Sequence, residues 1–351
     1  MKKHSLISWI SVPSALRSLN GRAADRMTDR LAFPRFSAAA RRKGGRALCL
    51  ALCILGLGLS AGADEPTFTT FDTPGAIATN PAGINPAGTI TGQYLDGSNV
   101  VHSFLRARDG SITTFDAPGA GTGAFQGTIA LSISPTGAIT GPYVDASFVF
   151  HGFLRAIDGT FTTFDAPGAA GTFTASVDGI NPAGAITGQY FDAGGVNHGY
   201  VRAPDGTFTT FDAPGAGTGP GQGTFTAGIN PAGTILGGYL DDTNVFHSIV
   251  RAPDGTITTY DVPGAGTGPG QGTLAENINP AGAIPGQYID ASGMNHGFLR
   301  APDGTITTFD VPGAATGPGL GTVPISNNPV DTITGFYLDA NGASHGFLRS
   351  P

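Results

Sequence analysis

The chain has 351 residues, 40% of them hydrophobic, with 56 glycines, 26 prolines, two cysteines and a net charge of −7. The charge is unevenly placed: every lysine and eight arginines lie at or before Arg46, whereas beyond Ala63 seven arginines stand against 23 acidic residues, a net −16. So acidic a body argues against nucleic acid or an anionic membrane as partner.

Arg41, Arg42, Lys43 and Arg46 precede an apolar run over residues 47–59, followed by Ala61, Gly62 and Ala63. A basic stretch, an apolar stretch and a small-x-small site predict an export signal over residues 1–63 with an extended N-region, cut after Ala63. The run is shorter than the roughly 20 residues of a membrane span. An uncleaved anchor is the alternative, and Met27 offers a later translation start. Cys49 and Cys53 both fall inside the run. The exported chain, expected in a periplasmic or extracellular space, then has no cysteine, which excludes disulfides and thiolate chemistry.

From residue 64 onward the chain repeats. The TTFD-type element ends at Asp72, Asp116, Asp165, Asp212, Asp261 and Asp310, in steps of 44, 49, 47, 49 and 49 residues. A period of this length marks a solenoid, propeller or array. Each unit holds four short runs rich in Ile, Phe, Tyr, Val and Thr, which predict strands. I-N-P-A-G turns the first run into the second, a short connection leads to the third, and A-P-D-G turns the third into the fourth. Only the glycine-rich link to the next unit is long. Three tight links and one long link are what a propeller blade requires. The two phenylalanines Phe208 and Phe211 fall on opposite faces of their run, as in a blade packed on both sides.

The phase of the repeat sharpens this expectation. The exported chain begins with a lone fourth run, residues 67–72, and ends with a lone first-second-third set. Residues 64–351 are therefore predicted to be one all-β domain, a six-bladed β-propeller of four-stranded blades. Its ring would be closed by pairing residues 67–72 with residues 345–349, which removes the free sheet edges.

Every unit also carries an Asp six residues before a His: Asp96 and His102, Asp145 and His151, Asp192 and His198, Asp241 and His247, Asp290 and His296, Asp339 and His345. Counting outward from the A-P-D-G turn sets His198 opposite Asp212, and hairpin logic sets Asp192 across from His198 on the other side. Each histidine would then lie between two carboxylates, with Asp72, Asp116, Asp165, Asp261 and Asp310 filling the place of Asp212 in the other blades. Asp and His are the residue types of metal and acid-base sites. A row repeated in every blade, however, reads as a structural hydrogen-bond device, and no catalytic residue, metal or cofactor is assigned. The repeated arginines, Arg202 among them, are expected to pair with acidic turn residues such as Asp205. The repeated tyrosines, Tyr190 among them, are expected to pack between blades. The glycine links lack the Lys-Ser/Thr of a phosphate loop. The residues that break the repeat, Asp178, Asp242, Glu276, Asn277 and Met294, are the candidates for an asymmetric site.

The order I-N-x-x-G-x-I-x-G, Y-x-D, H-G-F-L-R and D-G-x-x-T-T-F-D resembles the HAF-repeat family of extracellular repeat proteins over residues 67–349. The naming His-Ala-Phe stands here as His151-Gly152-Phe153, His296-Gly297-Phe298 and His345-Gly346-Phe347. Ser103, Ser248 and Ile249 depart further, and Arg replaces the family's usual following Trp. The resemblance implies export and tandem repetition and no established activity. The function expected is a secreted, monomeric binding or surface-interaction module for an extracellular or envelope ligand, carbohydrate or protein, at the mouth of the ring where the glycine links gather. A propeller lyase or hydrolase and a purely structural envelope protein are the alternatives.

Overall fold

Each repeat folds as an antiparallel meander because its β-branched and aromatic runs are separated by turns whose glycines sit at positive φ. The computed structural model describes residues 69–175 and 178–351, and the propeller occupies residues 72–351. Blade 1 holds β1 (Ala76–Ile84), β2 (Ile90–Asp96), β3 (Val101–Arg106) and β4 (Ile112–Phe115). In blade 2 the inner strand comes in two pieces, β5 (Gly127–Thr128) and β6 (Ser132–Ile133), before β7 (Ile139–Val144), β8 (Phe150–Arg155) and β9 (Phe161–Phe164). Blade 3 is β10 (Gly171–Thr174), β11 (Ile186–Phe191), β12 (Asn197–Arg202) and β13 (Phe208–Phe211). Blade 4 is β14 (Gly223–Ile229), β15 (Ile235–Leu240), β16 (Phe246–Arg251) and β17 (Ile257–Tyr260). Blade 5 is β18 (Gly272–Ala275), β19 (Ile284–Ile289), β20 (Asn295–Arg300) and β21 (Ile306–Phe309). Blade 6 has β22 (Gly321–Asn327), β23 (Ile333–Leu338) and β24 (Ser344–Arg349).

This is a six-bladed β-propeller, with the first strand of each blade innermost. Ile84, Ile133, Ile180, Ile229 and Ile278, at the ends of five successive inner strands, all line one axial cavity. The I-N-P-A-G and A-P-D-G turns share one end of the ring, the turn face. The hairpins that begin at the repeat aspartates and the glycine links share the other.

The core lies between blades. Leu105 and Phe115 of blade 1 pack on Ile139 and Phe153 of blade 2. Leu154 and Phe164 of blade 2 pack on Ile186 and Tyr200 of blade 3 in the same way. Phe104, Phe153, Tyr200, Ile249 and Phe298 hold one position of the third strand and are all fully buried. Full burial of such a side chain contributes about 1.5–3 kcal/mol. Because both faces of every inner blade are covered, the strands cannot alternate apolar and polar residues.

Two devices recur at the joints, the first at every joint from blade 1 to blade 6 and the second at all of these but the one between blades 2 and 3. Thr128 accepts a hydrogen bond from the Ala117 backbone at 2.8 Å, and Thr224, Thr273 and Thr322 do the same for Ala213, Val262 and Val311. The glycine that opens the inner strand also meets the third strand of the preceding blade in parallel: Val101 with Gly127, Asn197 with Gly223, Phe246 with Gly272, and Asn295 with Gly321. The second residue of the H-G/S motif follows a related steric rule. A Cβ at Gly152, Gly199 or Gly297 would fall 2.2–2.9 Å from the phenylalanine of the neighbouring fourth strand. Where serine stands instead, its hydroxyl is used across the joint: Ser248 donates to the Thr273 carbonyl at 3.1 Å and accepts from Ala275 at 3.0 Å.

The closure expected from residues 67–72 and 345–349 is not part of the described structure. Residues 67 and 68 lie outside the described residues, residues 69–72 hold no strand, and β24 pairs with β23 alone. The terminal blades accordingly carry exposed apolar residues: Ile77 and Ile84 on β1, Val330 beside β22, and Leu348 on β24. The export signal expected over residues 1–63 also lies outside the described residues.

Turn chemistry is equally regular. Asp96 Oδ1 accepts the backbone N–H groups of Ser98 and Val100, both at 2.8 Å. Asp145, Asp192, Asp241, Asp290 and Asp339 close the same turn in the other blades. The backbone donor at Val100, Val149, Val196 or Ala343 is the largest influence holding Asp96, Asp145, Asp192 and Asp339 below the ordinary carboxyl value of 3.8. For Asp241 and Asp290 the hydrogen bonds outweigh an opposing desolvation.

Two outcomes are expected. Gly223→Ala would place a Cβ 2.1 Å from the Asn197 carbonyl, whereas Gly221, also at positive φ, has nothing within 4 Å. In urea unfolding, Gly221→Ala should cost about 1 kcal/mol from backbone strain alone and Gly223→Ala about 3 kcal/mol or more; equal losses would contradict the glycine joint. The turn carboxylates have folded pKa values below their unfolded ones, so their stabilisation is present above the ordinary value of 3.8 and lost as pH falls through the folded value. The melting temperature should therefore fall steeply below about pH 4. Asp192→Asn, which keeps the acceptor and removes the titration, should flatten that fall; an unaltered acid slope would assign the acid sensitivity elsewhere.

Candidate functional site

The histidine rows sit at the link-bearing end of the ring. In blades 1 to 5 the Nδ1 of the histidine lies 2.8–3.0 Å from the carboxylate that follows the fourth strand, for His102–Asp116, His151–Asp165, His198–Asp212, His247–Asp261 and His296–Asp310. The Nε2 faces the turn aspartate at 3.4–3.7 Å in all six blades. The register differs from expectation on one side. The residue directly across from His198 is Tyr190, not Asp192. Asp192 starts the turn two residues later, and its carboxylate reaches back to the ring.

Each histidine ring also stacks on its tyrosine, with centroids 4.6–5.2 Å apart. The tyrosines also pack across the joint as expected, Tyr143 in one cluster with Ala117, Tyr190 with Ala166 and Tyr239 with Ala213, and burial pushes the Tyr143 phenol up. In blades 1 to 5 the Nδ1 is engaged by a carboxylate, the Nε2 faces its turn aspartate at the longer distance of 3.5–3.7 Å, and one face of the ring is covered by tyrosine. Among the described residues no group of His, Cys, Asp and Glu is arranged to hold a metal. The sixth row is incomplete. The His345 side chain is 47% exposed, against 17–23% in the other blades, and has only Asp339 beside it. Asp72, expected on its other side, is solvent-exposed.

The glycine links are tied down rather than open. Gln222 accepts from Gly219 at 2.8 Å and donates to the Asp242 carbonyl at 3.2 Å, folding the link onto the next hairpin. Gln126 and Gln271 do the same in their links. Two cavities lie at the opposite end, on the turn face, away from the link-bearing mouth where a ligand was expected.

The repeat arginines are on that face. Backbone hydrogen bonds chiefly lower the pKa of the turn carboxylates Asp158, Asp205, Asp254 and Asp303, and Arg155, Arg202, Arg251 and Arg300 help to do so without a close ion pair among the described residues. Arg155, Arg202, Arg251, Arg300 and Arg349 lie over the aromatic ring that ends the preceding blade's fourth strand, at 4.9–5.0 Å. This is cation–π geometry across the blade joint.

Between blades 1 and 2 the joint opens into a groove of about 280 Å³ lined by Asn85, Thr89, Leu105, Thr113, Thr136, Arg155 and Ile157. The sequence signal for it was a departure from the repeat. Arg108 and Ile157 replace the proline of A-P-D-G that stands at Pro204, Pro253 and Pro302, and Ile157 is 75% exposed.

The second cavity, of about 180 Å³, is axial and is walled by the I-N-P turns of blades 1 to 5 together with Asp178. Asp178 has φ of 44°. The residue is solvent-exposed at the edge of the cavity, and the partial desolvation it meets there raises its carboxyl pKa.

The repeat-breaking residues do not converge. Asp178 belongs to the axial cavity. Asn277 joins the inner strands of blades 5 and 6 by donating to Ser326 at 2.8 Å, and Glu276 precedes it. Asp242 and Met294 lie at the other end, in the hairpins of blades 4 and 5, where Asp242 accepts from the Thr218 backbone and Met294 is buried. Five residues at three places form no catalytic set.

No protein-family model matches the chain, and no curated protein matches it. Solved structures do. The BP39L lectin from Burkholderia pseudomallei aligns at a TM-score of 0.50 with 13% identity, over 78% of this chain and 81% of that one. Virginiamycin B lyase from Staphylococcus aureus aligns at 0.46 with 14% identity, over 76% and 83%. The Aleuria aurantia lectin, described as a six-bladed β-propeller, aligns at 0.42 with 13% identity, over 77% and 91%. At these identities the likeness is one of fold, and the fold is the β-propeller.

Proposed function

We propose that the protein is a non-catalytic carbohydrate-binding module of the HAF-repeat type, exported by its N-terminal segment, that holds its ligand on the turn face. The observation that carries this reading is the groove between blades 1 and 2. Its polar groups are those that bind hydroxyls: the Arg155 guanidinium, 5.0 Å over the Phe115 ring, and the hydroxyls of Thr89, Thr113 and Thr136. Its apolar groups, Leu105 and the exposed Ile157, suit the C–H face of a sugar ring.

At about 280 Å³ the groove is just below the usual small-ligand range of about 300–1,000 Å³, which favours one or two sugar units over a long chain. The net −16 of residues 64–351 disfavours polyanionic glycans. The lectins among the structural neighbours make the same ligand class a natural one for this fold. An enzyme is disfavoured because the histidines of blades 1 to 5 are spent within their blades and the repeat-breaking residues are scattered.

Ile157→Pro restores the turn residue of blades 3, 4 and 5 and should leave the fold intact. Screened on a glycan array and quantified by calorimetry, the protein should bind a neutral glycan, and Ile157→Pro should weaken it roughly ten-fold, the loss of one well-packed apolar contact. Failure to bind any glycan, or binding indifferent to Ile157→Pro, would remove the groove from consideration.

A further inference from the structure

The axial cavity contains hydrogen-bond donors that the fold does not use. In the I-N-P-A-G turns the asparagine Oδ1 is fixed by the backbone. Asn85 accepts from Ala87 and Thr89 at 3.1 and 3.0 Å, Asn181 from Ala185 at 3.0 Å, and Asn230 from Thr234 at 2.9 Å. With the oxygen held on its own turn, the orientation of each amide is set and its Nδ2 is turned away from that turn.

In blade 5 the equivalent Nδ2 is spent on the fold: Asn279 donates to the Asn328 carbonyl at 3.0 Å and to Asp331 at 2.9 Å. In blades 1, 3 and 4 it is not. Asn85, Asn181 and Asn230 are only 8%, 4% and 4% exposed and line the cavity, and among the described residues their Nδ2 groups have no protein partner. These amides open onto the cavity rather than being sealed from solvent, so three N–H donors held in fixed orientation are available there to an occupant that accepts hydrogen bonds.

The fourth polar group there is the carboxylate of Asp178, an acceptor. It stands two residues before Ile180, a place held by Ala82, Leu131, Ala227 and Glu276 in blades 1, 2, 4 and 5. The rest of the wall is isoleucine and proline.

Donors and an acceptor round an apolar floor match a group that both accepts and donates, which a hydroxyl does. Adjacent hydroxyls on one ring can each take an amide N–H and give a proton to the carboxylate, while the ring's C–H face rests on isoleucine. The volume equals about six waters at roughly 30 Å³ each, enough for one ring. We propose that the axial cavity is a second binding site, taking a single terminal sugar residue through its vicinal hydroxyls, with Asp178 as acceptor and Asn85, Asn181 and Asn230 as donors. The proposal rests on the carbohydrate reading of the protein but on a second cavity, which shares only Asn85 and Pro135 with the groove.

The repeat supplies substitutions that leave the turn standing. Ser134 occupies the asparagine position in blade 2, and its hydroxyl accepts from Ala138 at 3.0 Å. Asn230→Ser therefore keeps the turn and removes one Nδ2. Asp178→Asn keeps a residue that tolerates left-handed backbone and removes the charge. The probes are glucose, galactose, mannose and fucose, titrated into the full chain by ligand-observed NMR, with urea midpoints recorded for every variant. One of the four should bind, with Asp178→Asn and Asn230→Ser each weakening it roughly ten-fold, while Ile157→Pro and Asn279→Ser leave it unaltered. A sugar weakened by Ile157→Pro alone would overturn the axial site and keep the groove. A sugar weakened by Asp178→Asn and Asn230→Ser alone would establish the axial site, with the groove resting on its own glycan array. No binding of any of the four sugars would overturn the axial site, whereas a blank glycan array would overturn the groove.

Discussion

Four of the blade joints hang on one close approach, that of the glycine opening an inner strand to the third strand of the blade before it. A Cβ at Gly127, Gly223, Gly272 or Gly321 would fall 1.8–2.1 Å from a backbone carbonyl, and all four have φ between 100° and 120°. No other residue type satisfies both conditions. This contact sets how near one blade stands to the next, and so whether Thr128 and its counterparts can reach across and whether the aromatic rings can interleave. The length and glycine content of the links follow from it. They are joints rather than ligand loops, which is why the cavities occur at the opposite end of the ring.

A second consequence concerns polar groups. A propeller that repeats one unit must satisfy the same buried donors and acceptors in each blade, and this one does so within the repeat. The aspartate caps its own turn through one oxygen and meets its histidine with the other. The tyrosine covers that histidine, and the arginine lies on the aromatic ring of the blade before. Chemistry that looks reactive in the sequence is thereby used up by structure. What is left for function lies where neighbouring blades differ: at Arg108 and Ile157 beside the groove, and at Asp178 and the asparagine amides at the axis. Blade 2 illustrates the second case, because Ser134 has no amide to offer, and blade 5 does too, because Asn279 spends its amide on blade 6.

The sequence alone was enough for the repeat, the strands of each blade and the propeller fold, though not for the closure of residues 67–72 on residues 345–349. The reason is physical: glycine, proline and asparagine mark turns through backbone geometry that no distant residue has to supply. The register of the outer hairpin was also legible, since the A-P-D-G turn fixes Ala203 against Thr207 and so Arg202 against Phe208. The register of the inner hairpin was misjudged by two residues. The turn begins at Asp192 itself, so the strand ends earlier than its β-forming residues suggest, and Tyr190 takes the place opposite His198.

Tertiary structure alone decided where each arginine goes, because its aromatic partner lies one blade, about a full repeat, earlier in the chain. It alone showed that Asp178, Glu276 and Met294 never meet, since residues that break a repeat share no site unless the ring brings their positions to one end. It alone assembled the axial cavity, where asparagines 49 and 96 residues apart face a common axis. Local backbone preferences are written in short stretches of sequence. The convergence of side chains from different blades depends on the ring's curvature, and that is set by how closely the blades pack.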